Sequence, residues 1–201
     1  LVRGGGAFST LGWFDDPLPS NLLRLDEVEL ATVLFHELLH NTRYFAGNAA
    51  FAESFANFVG RRSAIAYFDA AGDAAAAATA RAAWQEDLAY SEFLAEAIAR
   101  LERAFAARPD EAERQALFQQ ARADLSGRQL PRHDWGERPV NNAFLLSERL
   151  YFDRLAQFDS RFTACAGDLR RTIVAILAAT DGAPDPFAAL AAGGSDCAGL
   201  Q

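Results

Sequence analysis

His36-Glu37-Leu38-Leu39-His40 sets two of the chain's three histidines four residues apart, and Glu53 follows within Phe51-Ala52-Glu53-Ser54-Phe55-Ala56. Imidazole nitrogens and carboxylate oxygens are donors that zinc accepts, and a catalytic zinc takes three protein donors plus water. On a helix, residues four apart lie one above the other, so His36 and His40 can offer nitrogens to one ion. Glu37 stands beside them without completing the donor set, and is the candidate general base that takes a proton from zinc-bound water. Glu53 is the candidate third ligand. HExxH also arises by chance in chains that hold no metal. A helical setting, the scarcity of histidine and a helix-borne glutamate after a tight turn favour one Zn2+ ion. Burying two histidines and two glutamates without an ion would also be costly.

Such a site requires two helices that turn back on each other. From Leu25 to Thr42 apolar residues recur at spacings of three and four without internal Pro or Gly, so the motif is expected deep in a buried helix. Asp26, Glu27 and Glu29 suit its first turn and Arg43 its end. Gly47-Asn48 reads as a turn with Asn48 as N-cap, and residues 49–68 as a second helix. The short connection predicts an antiparallel hairpin that returns Glu53 towards His40. Asn57, one turn beyond Glu53, could accept the other ring N–H of a ligand histidine.

At these residues the chain resembles a predicted bacterial aminopeptidase family that carries HExxH followed by Glu-Ser-Phe-Ala, gluzincin-like in taking a glutamate as third ligand. The segment from Ala7 to Leu18, and Pro139-Val140-Asn141-Asn142-Ala143 with Tyr151, look like further blocks of that family, covering residues 4–180. The resemblance implies His36, His40 and Glu53 as zinc ligands, Glu37 as base and a peptide substrate. It also implies an N-terminal portion with a targeting signal or lipid anchor ahead of this chain. A bacterial cell envelope or periplasm is therefore the expected location, with the cytoplasm left open. Residues 1–201 are expected to form one catalytic domain, and a chain without methionine, even at position 1, reads as a processed product.

The expected fold is mainly α: a zincin-like helical hairpin carries the metal site, with a small β element near the N-terminus and additional long helices. The β element is read from Gly4 to Phe14, where it either pairs with substrate backbone or caps the core. Trp84 to Phe105 continue an alanine-rich run as a long amphipathic helix, and Pro109-Asp110-Glu111 starts another that ends near Leu125. The turn-rich stretch Ser126 to Val140 contains His133, a solvated loop histidine, an oxyanion stabiliser or an extra metal ligand. Asn141 and Asn142 open the next helix as caps, or Asn142 acts in the site. Tyr151, on one face with Ser147 and Leu155, is a candidate oxyanion donor or a core tyrosine. Residues 167–180 and 186–192 read as closing helices.

A formal charge of -8 and scattered arginines argue against a nucleic-acid surface. No apolar run reaches the length of a membrane span. Cys165 and Cys197 either pair in an oxidising compartment or stay free. An aminopeptidase would need a carboxylate for the substrate's amino group, for which Asp15, Asp16 and Glu148 are available. A zinc endopeptidase and a non-catalytic metal-binding envelope module are the alternatives. Oligomeric state is not encoded in any of these features.

Overall fold

A computed structural model describes residues 20–43, 45, 47–193 and 197. The expected β element, Asp15 and Asp16 lie outside these residues. After a 3₁₀ turn over Ser20–Arg24 the described chain is helical: α1 (Glu27–Thr42), α2 (Ala49–Ala71), α3 (Ala74–Phe105), α4 (Glu111–Gly127), α5 (Asn142–Phe152), α6 (Leu155–Ala164), α7 (Leu169–Thr180) and α8 (Pro186–Ala192). A second 3₁₀ turn, Pro131–His133, lies between α4 and α5.

Short polar side chains start most of these helices by accepting otherwise unsatisfied backbone N–H groups. Asp26 caps α1 through the Glu29 N–H, and Asp73, Asn141, Asp168 and Asp185 do the same for α3, α5, α7 and α8. Asp110 and Glu113 form a reciprocal capping box at α4. Asn48 occupies the cap position of α2 without a side-chain cap bond. Gly72 ends α2 in the left-handed region (φ 76°), and the Asp73 N–H reaches back to the Phe68 carbonyl. That stop divides what would otherwise be one alanine-rich helix into α2 and the 32-residue α3.

α2 is the central element. It packs on α1, α3, α5, α6 and α7, and every residue from Ser54 to Arg61 is buried. Phe51, Phe55 and Phe58 of α2 meet Phe158 of α6, with Trp84 and Phe187 at the margins of this aromatic cluster. A second cluster joins Phe93, Leu94 and Leu101 of α3 to Phe118 and Leu125 of α4, with Trp135 and Leu145. The α3–α4 pair therefore packs as a hairpin with a buried seam.

α1 is less buried than its apolar content predicts. Val28, Thr32 and Leu39 are buried, while Leu34 and Leu38 are 37% and 57% exposed. The latter two share the face opposite Thr32 and Leu39, because residues four apart stack along one side. Apolar periodicity alone does not say which of two leucine rows meets the core.

Candidate metal centre

The α1–α2 hairpin brings His36, His40 and Glu53 to one point. His40 Nε2 lies 3.1 Å from His36 Nε2, and Glu53 Oε2 lies 3.2 Å from His36 Nε2 and 3.5 Å from His40 Nε2. Tetrahedral zinc with bonds of about 2.0–2.2 Å sets its donors about 3.3–3.6 Å apart. The observed triangle and its two-nitrogen, one-oxygen donor set fit such an ion. Among the described residues this is the group of His, Cys, Asp and Glu that could hold a metal. The three side chains are 13%, 17% and 27% exposed, so the site is sheltered but not sealed from solvent.

Electrostatics follow from this closeness. Burial pushes the Glu53 carboxyl up, but the two imidazoles outweigh it and hold the group at about 2. The hydrogen bond with Glu53 raises His40 against the opposing effect of burial, and the charges of Glu53 and Glu37 add to the rise. Glu37 is half-buried on α1, outside the triangle, and its charge is felt at both His40 and Tyr151.

Gly60 allows the two helices to approach this closely. A Cβ there would sit 2.6 Å from the Thr32 carbonyl oxygen and 3.3 Å from His36 Cβ. A glycine inside a helix marks such contacts in a sequence, although it does not name the partner.

Tyr151 reaches the site from α5. Its ring centroid is 6.2 Å from that of His36, and burial, followed by the charges of Glu53 and Glu37, raises its pKa. The phenol therefore stays a donor at neutral pH. Its helix ends sooner than the sequence suggests: Arg154 turns into the left-handed region (φ 51°), so Leu155 begins α6 and shares no helical face with Tyr151. The end of α5 is fastened to α2. Ser54 Oγ donates to the Leu150 carbonyl at 3.0 Å and accepts from the Asp153 N–H at 2.9 Å, while Asn57 Nδ2 donates to the Tyr151 carbonyl at 3.1 Å. The bond shown for Asn57 thus serves α5 rather than a ligand imidazole. The sequence marks Ser54 by its place in the Glu-Ser-Phe-Ala block, but nothing there names α5 as its partner.

Asn142 is not gathered with these groups. Asn141 takes the cap of α5, leaving Asn142 exposed in its first turn. Nine residues at 1.5 Å each put it about 13 Å along the axis from Tyr151. His133 is also elsewhere. It is buried, bonded through Nε2 to Asp87 at 2.9 Å, and stacked on Tyr90 with centroids 4.0 Å apart. Asp87 also accepts from Arg61, which reaches Glu29 on α1, and Arg132 joins Glu29. This paired network ties α1, α2, α3 and the second 3₁₀ turn together, which explains an invaginated histidine within a polar loop. Glu148 accepts from the Tyr90 hydroxyl at 2.8 Å.

Residues 1–184 match the family described as "Putative aminopeptidase". No curated protein and no solved structure matches the chain.

Proposed function

The chain belongs to the family described as "Putative aminopeptidase", and from that premise we propose that it is a zinc-dependent peptidase, in its finer form an aminopeptidase. The observation that carries this reading is the convergence of His36, His40 and Glu53 within 3.5 Å, with Glu37 and Tyr151 beside them. Zinc held by those three residues would supply Lewis acidity, making water easier to deprotonate and a peptide carbonyl easier to attack.

The remaining steps fall to the chain's own side chains. Glu37 takes a proton from the attacking water and delivers it to the departing amine, so water and one peptide bond become a carboxylic acid and an amine. Tyr151 donates its hydroxyl to the carbonyl oxygen as negative charge develops there. Glu53 remains ionised across the neutral range, since its carboxyl sits at about 2. The imidazoles must be neutral to hold a metal, so protons compete at His40. The pairing of Cys165 with Cys197 supports an oxidising compartment, which agrees with the bacterial cell envelope or periplasm that the family resemblance implies.

Zinc stoichiometry and cleavage of a peptide library test the proposal together. The wild type should bind one zinc and cleave, and Glu37→Gln should keep the metal while losing about 10²–10⁴-fold in kcat, the usual contribution of a general base. Zinc binding without cleavage by the wild type would instead favour a non-catalytic metal-binding module. Cleavage of peptides with blocked amino termini would favour an endopeptidase.

A further inference from the structure

Ser54 adjoins the candidate ligand Glu53, yet its own bonds go to another helix. It is fully buried, and its hydroxyl gives one hydrogen bond and receives one, to groups on either side of Tyr151. Asn57, one turn further along α2, takes the carbonyl of Tyr151 itself. These are terminal groups of α5, where backbone carbonyls lack helical partners because the chain breaks at Asp153 and Arg154. Helix ends fray unless such groups are satisfied. A phenol in the last turn would move with any fraying.

We propose that Ser54, assisted by Asn57, is a positioning residue that locks the last turn of α5 onto α2, so that the Tyr151 phenol is held over His36, His40 and Glu53. Its catalytic consequence rests on the hydrolytic reading above. Because Ser54 and Glu53 share a peptide bond, one turn of α2 fixes both a donor atom of the metal centre and the helix end that carries the hydroxyl. Ser54 acts through Tyr151 and needs no contact with substrate. Loss of the Ser54 hydroxyl would strand the Leu150 carbonyl and the Asp153 N–H together, so the turn would shift to find water.

The test uses the full chain with Ser54→Ala, Asn57→Ala, Tyr151→Phe and the Ser54→Ala/Tyr151→Phe double variant. In metal-free protein, the nuclear Overhauser effect between the Tyr151 and His36 rings reports the placement directly. It should fall severalfold in Ser54→Ala and in Asn57→Ala while helix content is unchanged. Wild-type intensity in both variants would overturn the proposal whatever the activity. In zinc-loaded protein, Ser54→Ala should lower kcat about tenfold or more with little change in KM, since small misplacements carry such costs. It should add nothing to the loss caused by Tyr151→Phe, and additive losses would also overturn the proposal. If the wild type cleaves no peptide, the hydrolytic reading fails and the ring contact still decides the positioning role. Should Ser54→Ala not fold, Asn57→Ala removes a single bond and carries both measurements.

Discussion

Glu53 lies against two imidazoles, and this makes its ionisation a property of the fold. Its carboxyl falls from an ordinary 4.5 to about 2, so its stabilising contribution is complete above 4.5 and is lost as pH falls towards 2. His40 is raised above 6.5, so its contribution is complete below 6.5 and is lost as pH rises through the raised value. In metal-free protein the triad should therefore stabilise most between about pH 4.5 and 6.5, where both contributions are present. The difference in urea midpoint between wild type and Glu53→Gln, followed against pH in the presence of a chelator, should peak in that window. A flat difference would mean that the three groups do not sense one another. At this scale sequence was informative: residue types and spacing singled out His36, Glu37, His40 and Glu53, because a four-residue helical repeat is a local property.

At the scale of elements, the site depends on how closely α1 and α2 approach at Gly60. Replacing a helical glycine with alanine ordinarily stabilises by about 1 kcal/mol. Here the new methyl would meet a backbone carbonyl oxygen at 2.6 Å, and overpacking of that kind costs about 1–3 kcal/mol. A backbone atom cannot rotate aside as a side chain can, so the penalty should win. Gly60→Ala is expected to lower the urea midpoint and to weaken zinc binding by separating His36 from Glu53, as a zinc titration would reveal. An unchanged affinity would show that the hairpin tolerates a wider spacing. The helices themselves were legible from capping residues and apolar periodicity, including the stop at Pro109 and the cap at Asn141. The break after α5 was not, since Arg154 adopts a left-handed conformation that its residue type does not announce.

Across the whole molecule, Cys165 at the end of α6 is joined to Cys197 beyond α8, closing a loop of 32 residues. Arg171 donates to the Cys197 carbonyl, and Arg161 to the carbonyls of Leu190 and Gly193, so polar bonds hold the same region. Closing a loop of this length is worth about 2–4 kcal/mol. A reductant, or Cys165→Ser with Cys197→Ser, should lower Tm by several degrees with zinc stoichiometry unaltered, because the candidate metal centre lies in the α1–α2 hairpin. Loss of zinc on reduction would instead couple the two ends of the molecule. None of the described helices is long and apolar enough to cross a membrane.

What sequence determined by itself was local: most helix starts and stops, a mainly helical fold, and four residues whose spacing suits a metal and a base. It did so because caps, turns and helical repeats act over a few residues. Tertiary structure alone decided which leucines of α1 face outward, that His133 belongs to a buried polar network, and that Asn142 stands apart from the centre. It alone brought Tyr151 to His36 through Ser54 and Asn57, residues nearly a hundred positions away along the chain. Those outcomes depend on which surfaces pack together, and packing is settled by the joint burial of distant segments rather than by any one of them.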